Sequence, residues 1–247
     1  LPVANPYLPE NANLIETQAE FGEYPVTLED SKGMLLYYGQ DTEFQRPKAS
    51  YRYKIYFPKT FTDLKSHVLM TLYIAAVNES MNEASYPARL AGMDYQVSND
   101  AEGITIIVNG YSDSIDDLLI EILSNMKEIK IPDEQYVALR DKMIRDWQNV
   151  AKGSAHTIAR EKMRKIIREN YYSSAELADI SPRISLTEIK SFAGKLLKKG
   201  YIQGLIYGNV TYDQARENTD LLLKTLKIKP AKWGKVAEPG RLIFNSG

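Results

Sequence analysis

The 247-residue chain has no cysteine and only two histidines, His67 and His156. The first absence excludes a disulfide framework and any thiolate metal site, and leaves the compartment open. With so few imidazoles, a zinc site of the common three-protein-ligand kind would need both histidines and a carboxylate. His67 is followed one turn later by Met70 and Thr71, where a metalloprotease helix would carry a general base and a second ligand, and neither residue can do that work. Ala159 and Arg160 fail the same test after His156. Also missing are a Gly-x-Ser-x-Gly elbow, a phosphate-binding Gly-x-x-x-x-Gly-Lys loop and a Gly-x-Gly-x-x-Gly turn after a strand. Excess charge is lacking as well: 31 basic residues against 32 acidic give a net charge of −1. Nothing global therefore draws the chain to nucleic acid or to an anionic membrane. A transmembrane run is absent too, because the most apolar stretch, Val68 to Val77, is short and is bounded by Lys65, Asn78 and Glu79.

What is present is globular material, 44% hydrophobic and 26% charged, long enough for one large core or two modest ones. Residues 48–111 read as its organising stretch. Tyr51, Tyr53, Ile55 and Phe57 alternate with Arg52, Lys54 and Tyr56, the period-two pattern of a half-buried strand. Pro58 ends it, Thr62 or Asp63 caps a helix, and Val68 to Val77 leave that helix no solvent face. A second helix covers Asn82 to Ala91, with Gly92 as left-handed cap, and strands follow at Met93 to Val97 and Ile104 to Val108. Upstream, residues 33–39 form a short strand that reads as a hairpin-like partner of the strand from Tyr51.

From Ser112 the period changes to 3.6. Leu118, Leu119, Ile122, Leu123 and Met126 mark a helix capped near Ser112 or Asp113, and Pro132 opens the next. Val137, Ile144 and Trp147 lie among charges on that second helix. A break at Lys152-Gly153-Ser154 precedes a basic helix from His156 to Glu169, in which Ile158, Met163, Ile166 and Ile167 are expected to face the core. Short helices at 173–180 and from Ser185 toward Gly200, a strand at Tyr201 to Tyr207 and a helix at Tyr212 to Leu226 complete the pattern. The spaced glycines of Gly200 to Gly208 suggest close packing against a helix. The fold class expected is α+β, a mostly antiparallel sheet of about five or six strands with helices packed on one face.

The basic helix is the one electrostatic feature. Arg160, Arg164, Lys165 and Arg168, with Lys152 and Lys162, stand against Glu161 alone. Such a run is either a solvated face or a local site for an anion or acidic partner, and those four residues are the candidate contacts.

An ordered set of short motifs adds a resemblance. Leu1-Pro2, Asn5-Pro6-Tyr7-Leu8-Pro9-Glu10-Asn11, Tyr38-Gly39-Gln40-Asp41 with Phe44 and Pro47-Lys48-Ala49, Leu90-Ala91-Gly92-Met93-Asp94-Tyr95, Asn109-Gly110-Tyr111 and Gly208-Asn209-Val210-Thr211 make up that set. Nearly the whole chain resembles, in order, the third, non-catalytic domain of the insulysin and pitrilysin class of M16 zinc metallopeptidases. That resemblance implies a parent of four related α+β domains closing around a chamber, with zinc held by an H-x-x-E-H helix and a downstream glutamate in the first domain. It implies no catalytic and no metal residue here, no cofactor in this segment, and zinc in the parent. The partners implied are the other M16-like domains of the parent and its peptide substrates, with no nucleic acid and no membrane span. Residues 1–31 are expected to be an extended connector from a preceding domain, 32–229 the M16-like domain, and 230–247 a linker with the first strand of a following domain. Pitrilysin-like relatives are often periplasmic, yet no export signal stands in these residues, so localisation stays open. A different class fits the same residues: a stand-alone M16-like binding or scaffold module without peptidase activity.

Overall fold

A computed structural model describes residues 4–16 and 24–236 of the chain. The strand expected near Leu242 to Phe244 and the Leu1-Pro2 pair lie outside those residues.

At the centre is strand β3 (Lys48–Tyr56), where Tyr51, Tyr53 and Ile55 point into the core and Arg52 points to solvent. That alternation follows from the period of two. On one side β3 pairs antiparallel with β5 (Gly103–Tyr111), which pairs in turn with the edge strand β4 (Asp94–Asn99). On the other side it pairs antiparallel with β6 (Lys199–Gly208), so that Tyr53 sits between Ile106 and Gly204. Beyond β6 come β2 (Met34–Gln40), running parallel to β6, and β1 (Val26–Ser31) at the far edge. A two-residue strand, β7 (Lys229–Pro230), pairs parallel with the first residues of β6. The sheet is mostly antiparallel and the class is α+β, with the order β1-β2-β6-β3-β5-β4.

The expected pairing of residues 33–39 with the strand from Tyr51 is corrected. β6 lies between β2 and β3, and it takes hydrogen bonds from both. The linking residues 41–47 begin with an Asp41 turn, whose Oδ1 accepts from the Phe44 amide at 2.9 Å. A link of that length can step over one strand, since strands lie about 4.8 Å apart. The strand β1 is a second difference, for it occupies residues read as extended connector. Earlier in that segment Tyr7 is buried in the core, and the Ile15 amide donates to Asn209 Oδ1 at 2.9 Å.

Against the inner face of the sheet lies α1 (Leu64–Ser80), capped by Asp63, whose carboxylate accepts from the Ser66 amide at 3.0 Å. Nine of its residues are buried, including Leu72, Tyr73, Ala76 and Val77. At about 1.5–3 kcal/mol for each fully buried large aliphatic side chain, this helix contributes much of the core energy. Next come α2 (Asn82–Leu90), with Gly92 at φ +71° after its end as expected, and α3 (Ile115–Lys127), on which all five expected apolar residues are fully buried. The remaining helices are α4 (Asp133–Val150), α5 (Ala155–Ile167), α6 (Ser174–Ile180), α7 (Leu186–Leu196) and α8 (Tyr212–Leu226). Gly204 does pack closely, but a Cβ there would meet Leu36 at 2.5 Å and Tyr53 at 3.0 Å, on the neighbouring strands and not on a helix. β6 is central, so its neighbours on both sides are strands.

The outer face of the sheet is partly covered by the segment after β7. There Trp233 packs edge-on against Tyr56 and Tyr201, at centroid distances of 4.9 and 5.1 Å, beside buried Ala231 and Val236. No helix among the described residues is long and apolar enough to cross a membrane.

Candidate functional site

The basic helix forms where the sequence placed it. Ser154 caps α5 by accepting from the Thr157 amide, and α5 ends with Arg168 in extended backbone. Its orientation differs from expectation. No residue of α5 is buried, and Met163, Ile166 and Ile167, expected in the core, are 52%, 57% and 40% exposed. The helix before it takes the core side instead: α4 buries Tyr136 and packs Leu139, Met143 and Trp147 against the core, whereas no residue of α5 does so. Contact with the body runs instead through the flank bearing Glu161 and Lys165. Glu161 Oε1 accepts from the Ser174 amide at 2.6 Å, and Lys165 Nζ lies 2.5 Å from Glu176 Oε2.

These contacts divide the four candidate anion ligands. Lys165 is committed to Glu176, which also closes the capping box of α6 with Ser173. Hydrogen bonds from Lys165 and then from Ser173 hold the Glu176 carboxyl down to about 2. Arg160 contacts the His156 ring one turn earlier on α5. Arg164 and Arg168 line a common cleft of about 660 Å³, and among the described residues neither side chain has a hydrogen-bond or ion-pair partner.

The opposite wall of that cleft is built by the turn between β4 and β5. Asp100 Oδ1 accepts from the amides of Glu102 and Gly103, each at 3.0 Å, and its other oxygen is ion-paired with Lys54 on β3. Burial works against the Asp100 carboxylate, but hydrogen bonds from Lys54 and Glu102 outweigh it and hold its pKa low. Glu102 moves the other way, raised by burial and then by its hydrogen bond to Asp100. His67, in the first turn of α1, also lines the cleft, with its ring 5.7 Å from that of Tyr172. Burial lowers the His67 pKa, opposed by the Asp100 charge, so the imidazole is neutral at pH 7. The cleft thus brings Asp100 and Glu102 of the β4–β5 turn together with Arg164, Arg168 and Glu169 at the end of α5 and an uncharged histidine.

Sequence reasoning found Arg164 and Arg168 and missed Asp100, Glu102 and Tyr172. Residues 98–103 carried only a turn signal, and nothing local told that this turn faces the end of α5.

The zinc implied by the family does not fit these residues. Met70 is buried in the core, and Thr71 Oγ1 donates to the His67 carbonyl while accepting from Asn99, so the turn after His67 presents no ligand. Among the described residues no group of three or more His, Cys, Asp or Glu could hold a metal ion.

Comparison with known proteins follows the same lines. The profile of the middle or third domain of peptidase M16 matches residues 1–180. Human insulin-degrading enzyme is 27% identical over 215 residues, covering 87% of this chain and 21% of that protein. A Schizosaccharomyces pombe protein named for zinc protease activity is 23% identical over 249 residues, covering all of this chain and 26% of its own length. In fold, pitrilysin superposes with a TM-score of 0.86 at 22% identity over 94% of this chain and 25% of that one. The M16 inactive domain from Pseudomonas fluorescens gives 0.68 at 14% identity over 88% of this chain and 54% of its own. The chain therefore spans about a fifth to a quarter of the curated relatives it matches. Matched over more than half its length by that one profile, the chain belongs to the M16 peptidase family, as a middle or third domain.

Proposed function

We propose that this chain is the non-catalytic middle domain of a zinc metalloendopeptidase and forms part of the wall of the chamber in which the parent hydrolyses peptides. The observation that carries the reading is the match of the middle-domain profile to residues 1–180. The pitrilysin-like fold supports it. In this reading zinc binds elsewhere in the parent, and the chain contributes shape, exclusion of folded proteins by size, and movement as the chamber opens and closes. Residues 1–31, in this reading, enter from a preceding domain and already contribute Tyr7 and strand β1 to the packed body, residues 32–229 make up the rest of it, and 230–247 lead onward. Arg164 and Arg168 serve as the anion or chamber-surface contacts, with Arg160 beside them and Lys165 neutralised by Glu176.

The test uses the full-length parent. One tightly held zinc per chain is expected, unchanged by His67→Ala and His156→Ala together, with hydrolysis of short unfolded peptides and no cleavage of folded proteins. A full-length protein that holds no zinc and cleaves no peptide would overturn this reading in favour of a binding or scaffold module.

A further inference from the structure

We infer that the outward face of α5 is an interaction surface for another domain of the parent polypeptide, one that presents an apolar centre with an acidic rim. The inference rests on the reading that the chain is one domain of a longer protein.

The face is defined by helical spacing. Ala159, Met163, Ile166 and Ile167 stand at i, i+4, i+7 and i+8, which puts them on one stripe. The three large side chains are 52%, 57% and 40% exposed, although α5 is amphipathic in the ordinary sense of having an apolar and a charged side. An amphipathic helix ordinarily turns its stripe to the core. Here Glu161 and Lys165, on a different flank, are fixed to the start of α6, so the stripe cannot turn inward without breaking both attachments. Contiguous apolar side chains rimmed by polar ones mark interaction sites more often than isolated ones do.

Charge selects the occupant. Lys162 borders the stripe on one side; Arg160 and Arg164 border it on the other, each three or four residues from an apolar member. A second copy docking face to face would bring these cations against one another, and a complementary surface must carry carboxylates around an apolar patch. The relatives supply the source, since about three quarters of each lies outside the matched segment. A stripe of three large side chains is small for insertion into a lipid surface but ordinary for the centre of an interdomain contact.

Methionine oxidation of the full-length parent, read residue by residue by mass spectrometry, tests this directly. Met70, Met81 and Met126 are only 1%, 0% and 0% exposed and report the rate for a covered thioether. Met163 is expected to oxidise as slowly as they do, about tenfold or more below free methionine. Lys162→Glu with Arg160→Glu should bring Met163 to the free rate while the three buried methionines stay slow. A photocrosslinker at position 166 should join α5 to a segment of the same polypeptide outside residues 1–247. The inference is overturned if Met163 oxidises at the free rate in the parent, if its protection depends on protein concentration or appears only with anionic vesicles, or if charge reversal leaves protection intact. Zinc content and peptide hydrolysis measured on the same sample separate the two readings: a covered Met163 in a parent without either sinks the peptidase and leaves this surface standing.

Discussion

The Lys165 ammonium lies 2.5 Å from Glu176 Oε2, and the same oxygen accepts from the Ser173 amide at 2.9 Å and the Ser173 hydroxyl at 2.6 Å. One carboxylate thereby caps α6 and ties α5 to it. Ser173→Ala should cost about 0.5–2 kcal/mol, the usual range for losing an N-cap hydroxyl, read as a lower midpoint in thermal unfolding. The ion pair is solvent-exposed, so Lys165→Met should cost no more than about 1 kcal/mol. Because the folded carboxyl is held down to about 2 against an ordinary 4.5, the stability it contributes is full above 4.5 and is lost as pH falls toward 2. Acid titration of Glu176→Gln should lack that increment; an identical acid limb would show that the tie does not form.

Arg164 and Arg168, both on one wall of the cleft, should act through their field. Reversing both to Glu in the full-length parent should change the salt dependence of peptide turnover, because salt screens exposed charges over about 8–10 Å. Zinc content should not change. Turnover and salt response equal to the unmodified parent would reduce this wall to a solvated surface.

His67 should make the chain acid-sensitive. Burial holds its pKa below the ordinary 6.5, so the unfolded chain takes up a proton more readily than the folded one just below that value. Its contribution is complete above 6.5 and declines as pH drops toward the folded pKa. His67→Gln should flatten stability against pH in that window, measured by urea unfolding at several pH values. Equal slopes for the two proteins would place the ring in solvent.

Leu72 is fully buried on α1. Leu72→Asp places a carboxylate without a partner in the core at a cost of several kcal/mol, comparable with about 5–15 kcal/mol for a whole domain. The variant should lose its cooperative melt. A sharp transition near the original midpoint would mean that α1 is not the core helix.

Elements whose information is local were legible in the sequence. The alternation at Tyr51, Tyr53 and Ile55, the unbroken apolar run of α1, the Gly92 stop and the span Tyr212–Leu226 all appear in the structure where periodicity and capping put them. What could not be read was long-range. β6 and β2 are joined by pairing between Met34 and Ile202, and no pattern in either strand names the other. The orientation of α5 failed for a related reason: Met163, Ile166 and Ile167 form a proper apolar stripe, but a stripe states only that something should cover it, and the core of this chain does not. At the cleft, the α5 arginines were visible as charge density, whereas Asp100 and Glu102 became part of it only through the fold.

The place of β6 sets the order in which the molecule can be completed during synthesis. β2 and β3 are made early, yet each leaves one edge open until residues 199–208 have been translated. Until then the growing chain carries two exposed strand edges, the kind of template that recruits other chains. Sheet closure must be among the late events of folding, because it waits on contacts of large sequence separation. Loss of the reading frame between Tyr111 and Lys199 would therefore leave a product with an unfilled slot through the middle of its sheet, and not a shortened but otherwise sound domain.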